Sequence, residues 1–191
     1  MNQNQKPSPT PEYRHRSRSS GLRMLCVSAL LSALSIVLGK YLAINVTDSI
    51  RLSFENLPVL MAGVFLGPLI GAAVGAVADL LGCVLVGYAI NPIITAGATL
   101  IGLIAGLIAR AFTRGGRSLS PLAVYTAVYA AHIAGSMILK SIGMAVYFST
   151  PLEILLIRIP VYLTIGVPEG AVILLLAKNK LFTGELRRLK K

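Results

Sequence analysis

The chain has 191 residues, of which 55% are apolar and only 13% charged, with a formal net charge of +11 and a mean hydropathy of +0.76. That balance excludes an ordinary soluble domain, and helices of about 20 residues each leave no room for a soluble catalytic domain. The positive charges sit in two tails and one short loop and not across a face, which argues against nucleic acid as a partner and for an integral membrane protein.

Residues 1–20 (MNQNQKPSPTPEYRHRSRSS) are rich in Pro, Ser, Gln and Arg and are expected to be a disordered basic tail. The first apolar run, Leu22 to Leu38, follows a long basic lead with no A-x-A site and reads as a retained first helix. Spans are predicted at roughly 22–40, 57–67, 70–88, 93–112, 121–148 and 155–177, giving an all-α, six-helix membrane domain over 21–182 and a basic tail over 183–191. A single helix over Leu57–Tyr88 would measure about 48 Å, too long for a hydrocarbon core of about 30 Å. Gly67-Pro68 divides it, since Pro is well placed at the first turn of a new helix.

The charge bias favours that division. The amino tail through Arg23, the loop holding Arg110, Arg114 and Arg117, and the end from Lys178 onward hold 14 of the 18 Lys and Arg residues. Six helices put all three on one side, so both termini are expected in the cytoplasm of a bacterial cell, with the chain multi-pass in the plasma membrane. Lys40, Arg51, Lys140 and Arg158 fall toward the other side.

Small residues recur every four positions: Gly63, Gly67, Gly71 and Gly75; Gly102 and Gly106; Ala29 and Ala33. Such ladders let helices approach closely, either within the bundle or against another protein. Ala29 and Ala33 suit a partner's surface best, because the first helix is at the sequence edge of the bundle.

No GxSxG, HExxH or Walker loop occurs, and His132 and His15 have no evident catalytic partner, so no enzymatic activity is expected. Cys26 and Cys83 read as small apolar side chains, and no metal site is argued. Asp79 points to a helix-to-helix hydrogen bond or salt bridge, and Glu169, between Pro168 and Gly170, to a kinked or locally opened turn. Arg51, Lys140 and Arg158 are charges that a membrane bundle holds at a cost of roughly 2.5–3.5 kcal/mol each at mid-depth, and they suit capture of an anion. Two readings stand for each Arg: ligand contact, or pairing with Asp48 or Glu55 (Arg51) and with Glu153 or the lipid headgroups (Arg158). Tyr88 and Asn91, in LVGYAINPI, either help close a pocket by stacking and amide hydrogen bonding or belong to an interfacial belt.

The segment RLSFENLPVLMAGVFLGPLIGAAVGAVADLLG (51–82), the AxxxA pair Ala29 and Ala33, Arg158 at the start of the last helix and the basic carboxyl end resemble a substrate-binding S component of an energy-coupling factor (ECF) vitamin transporter, most like the folate branch. The resemblance runs from about Leu22 to Leu181. It departs at YAINPIITAG, where many folate-type members carry an aromatic-Pro-Gly segment, which keeps pantothenate or another small vitamin open. The resemblance implies a six-helix bundle that binds one vitamin from the outer face and has no ATPase of its own. It implies docking through Ala29 and Ala33 on a transmembrane coupling protein, EcfT, carrying two cytoplasmic ATPases, and toppling in the lipid bilayer to release cargo. In such a protein Arg51, Lys140 and Arg158 neutralise the folate carboxylates, Tyr88 and Asn91 contact its rings, and no metal or cofactor takes part.

Overall fold

A computed structural model describes the backbone of residues 11–45, 51–115 and 118–189, and the side chains of residues 21–43, 52–115 and 118–186. Helix α1 (Pro11–Ile36) runs into a π-helical turn, Val37–Tyr41. It therefore starts inside the segment expected to be a disordered tail; residues 1–10 lie outside the described residues. A small antiparallel ribbon follows, β1 (Ile44–Asn45) with β2 (Arg51–Leu52), in which Asn45 faces Arg51 and Ile44 faces Leu52. Then come α2 (Asn56–Met61) with its π-helical end Ala62–Leu66, α3 (Pro68–Val86), α4 (Pro92–Phe112) and α5 (Pro121–Ala131). A π-helical stretch, His132–Leu139, joins α5 to α6 (Lys140–Phe148); α7 (Leu152–Lys178) and α8 (Lys180–Leu189) complete the chain.

Local chemistry sets these boundaries. Gly67 adopts φ 114°, a conformation an L side chain resists, and Pro68 opens α3 directly behind it. Gly87, at φ 75°, ends α3 in a left-handed cap. The Asn91 side chain accepts from the amides of Ile93 and Ile94, and Ser120 caps α5 by accepting from Ala123; a Pro follows each cap.

Among the described residues, five helices are long and apolar enough to cross a membrane: Gly21–Tyr41, Pro68–Val86, Pro92–Phe112, Pro121–Phe148 and Leu152–Lys178. The break at Gly67-Pro68 is present, but the eleven residues Asn56–Leu66 span only about 16 Å. This short helix is wedged into the bundle, with Asn56, Pro58, Val59 and Leu60 buried. The carboxyl end, expected as a basic tail, is helical as α8, and Phe182 meets Phe65 edge-on with ring centroids 5.0 Å apart.

The glycine ladders pack within the molecule. A Cβ on Gly71 would strike Gly63 and the Gly102 carbonyl, one on Gly75 would strike Ala98, and one on Gly106 would strike Pro68. The backbones of α2, α3 and α4 therefore touch where side chains would hold them apart. Val59, Leu60, Val74, Ile101, Val128 and Ile173 fill the core around this contact. Large apolar residues such as Leu25, Leu69, Leu85, Leu122, Val146 and Leu175 are exposed, as a lipid-facing surface requires.

Candidate functional site

The carboxyl end of α3, the amino end of α4, α6, the start of α7 and the segment entering α2 surround a cavity of about 410 Å³. Four of the five side chains expected to bind ligand line it: Tyr88, Asn91, Lys140 and Arg158. For the fifth, Arg51, only the backbone is described, in the ribbon just ahead of the cavity; its side chain lies outside the described residues.

Lys140 is 6% exposed. Its ammonium donates to Glu55 Oε1 at 3.0 Å and reaches Asn56 Oδ1 at 3.5 Å. Burying a lone ammonium is costly, and the carboxylate of Glu55, just ahead of α2, meets that cost within the protein. This changes the expected picture, because Lys140 already has a resident counter-ion. Glu55 is fixed at the backbone as well, where its carbonyl accepts from the Ser35 hydroxyl at 2.6 Å.

Arg158 is half-buried. One terminal nitrogen donates to the Tyr162 hydroxyl at 3.1 Å, the other contacts Met144 Sδ, and the guanidinium carbon stands 5.5 Å from the Tyr162 ring centre. Its Nε is buried with no acceptor among the described residues. Neither Glu153 nor the lipid boundary is needed to explain its place, since it faces the cavity.

Tyr88 is 55% exposed, and Lys40 stands over its ring at 5.3 Å, a cation–π arrangement. Asn91 is buried, and most of its amide is committed to the fold: its oxygen caps α4 and its nitrogen donates to the Gly143 carbonyl at 3.0 Å. Asp79 makes the helix-to-helix bond expected of it, accepting from the Thr95 hydroxyl at 2.7 Å.

Lys40, Glu55, Asp79, Met144, Phe148 and Tyr162 also face the cavity. Among the described residues, three cations and two carboxylates give the wall one formal positive charge, set among aromatic and apolar surfaces. Such a wall suits a flat, partly anionic organic molecule. Ligand pockets commonly measure about 300–1,000 Å³, so the size fits a small organic ligand and far exceeds a bare ion. Lys40 and Glu55 were not assigned to the site from sequence. Glu55 is 85 residues from Lys140, and only the fold brings the two together.

The model of the ECF transporter substrate-specific component family matches residues 23–178. The chain belongs to this family. It is therefore a substrate-binding component of a membrane transporter and a multi-pass membrane protein. Among solved structures, the crystal structure of FolT bound with folic acid is similar, with a TM-score of 0.66 and 21% sequence identity over 83% of this chain and 95% of that one. That likeness establishes a shared fold. No curated protein sequence matches the chain.

Proposed function

We propose that this S component binds folate with high affinity in the cavity between α3, α4, α6 and α7. The observation that carries the reading is a cavity inside a FolT-like membrane fold with Lys140 and Arg158 in its wall. Folate offers flat pterin and aminobenzoate rings and two carboxylates. The carboxylates meet Arg158, Arg51 and Lys140, the last shared with Glu55; the rings lie against Tyr88, Phe148 and Tyr162, with Asn91 at the edge. Low dielectric in such a site strengthens each charge pair once water is displaced.

In the same reading the cavity opens to the outside, both termini lie in the cytoplasm, and the short second helix completes a six-helix bundle in the bacterial plasma membrane. Delivery then requires EcfT and its two ATPases. Ala29 and Ala33 are exposed on α1 beside Leu25, Leu30 and Leu34, a smooth apolar stripe suited to docking a helix of EcfT.

Pantothenate is the second reading, favoured by the YAINPIITAG segment at the rim (Tyr88, Ala89 and Asn91 line the cavity). Mass spectrometry of the small molecule that co-purifies with the protein separates the two. Folate is expected; pantothenate or another vitamin in its place would reassign the substrate.

A further inference from the structure

Glu169 and His132 are both 0% exposed, deep between α7 and the π-helical stretch after α5. Nothing in the ligand reading uses them. His132 Nε2 is 2.5 Å from Glu169 Oε2, and His132 Nδ1 is 3.3 Å from Ser136 Oγ. The Asn56 amide nitrogen lies 3.4 Å from the same Ser136 oxygen, and its amide oxygen 3.5 Å from the Lys140 ammonium. Five side chains from four elements thus form an unbroken line from the cavity wall to the middle of α7.

The two ends fix the direction of the line. An ammonium can only donate, and Glu169, taken in its ionised form, can only accept. Lys140 therefore claims the Asn56 oxygen, which turns the Asn56 NH2 toward Ser136. Ser136, accepting there, has its own hydrogen for His132 Nδ1. That leaves the His132 proton on Nε2, donated to Glu169. In this arrangement each group donates to the next, and buried links of this kind polarise one another. A second tie runs beside it: the Tyr162 ring stacks on His132 at 5.3 Å, while Arg158 holds its hydroxyl.

The line also joins two irregular stretches of helix. His132–Leu139 is π-helical, and Glu169 follows Pro168, one of two prolines inside α7. Such stretches have backbone bonds that can rearrange with little loss.

We propose that Asn56, Ser136, His132 and Glu169 form a one-way hydrogen-bonded thread that aims the Lys140 ammonium at the cavity and ties cavity occupancy to helix α7. These four are positioning residues. Of the five side chains in the line only Lys140 meets the ligand, and in this the proposal rests on the cavity being the ligand site. An anion drawn to Lys140 loosens its hold on Asn56, and the loss passes along the thread to Glu169.

Two measurements on the full-length protein test this. In the first, a double-mutant cycle follows folic acid binding for Ser136→Ala, Lys140→Met and the pair. Ser136→Ala is expected to weaken binding about tenfold, within the range for members of one hydrogen-bonded network, and to have no further effect beside Lys140→Met. Asn56→Ala cuts another link and should behave alike. Losses that multiply in the double variants would overturn the proposal.

The second needs no ligand. With His15→Gln, one histidine remains, and 15N NMR reads its tautomer directly. A neutral ring protonated at Nε2 is expected, with both nitrogen resonances displaced by Lys140→Met. An imidazolium, or resonances unmoved by that substitution, would overturn it. Should folic acid fail to bind the unmodified protein, the ligand assignment is wrong, and the NMR result alone decides the thread.

Discussion

Lys140 and Glu55 show how a membrane bundle holds a buried charge. Lys140→Met should leave membrane insertion intact, weaken ligand binding about 30-fold or more, and lower stability by about 1–3 kcal/mol because the buried Lys140–Glu55 ion pair is lost. Titration calorimetry and thermal unfolding in detergent read the two effects separately. At the deeper pair, His132→Leu should cost about 3 kcal/mol, since it strands the buried Glu169 carboxylate, and a melting temperature equal to wild type would refute this. The cations were legible in the sequence because a charge in an apolar run is conspicuous. Their partners were not. Lys140 and Glu55 are 85 residues apart and His132 and Glu169 are 37 apart, and neither separation falls on one helix face. His132 read as solitary for the same reason, though a second buried polar residue in another span was the available hint.

The helices carry the more predictable part of the account. Gly67-Pro68 marked the break between α2 and α3 because one residue tolerates positive φ and the next cannot continue a helix backward. The ladders of Gly63, Gly71, Gly102 and Gly106 announced close backbones, and Gly102→Val should separate α3 from α4 at a cost of about 1–3 kcal/mol or more, measured as lost thermal stability. Unaltered unfolding would show that the ladder is not a contact. Less legible were the π-helical turns Val37–Tyr41, Ala62–Leu66 and His132–Leu139, which depend on packing and leave no local signature, and α8. Its basic composition suggested a cytoplasmic tail; the structure adds that Leu186 and Phe182 turn back onto the bundle. The short helix Asn56–Leu66 likewise owes its burial to packing against α1, α3 and α4, not to its length.

For the whole molecule, the family assignment makes this chain one part of a transporter. Ala29→Trp should block assembly with EcfT while sparing ligand binding by the isolated protein; co-purification of the intact complex with that variant would remove α1 from the interface. Cysteine-labelling of the two ends in intact cells should show both protected from an impermeant reagent, as the 14 basic residues of the tails and the loop predict. The central claim is that the lone chain is a complete binding unit for a negatively charged vitamin. Calorimetric titration of purified, partner-free protein with folic acid tests it most directly: saturable one-to-one binding at or below micromolar concentration is predicted, and no saturable heat up to millimolar folic acid would contradict it.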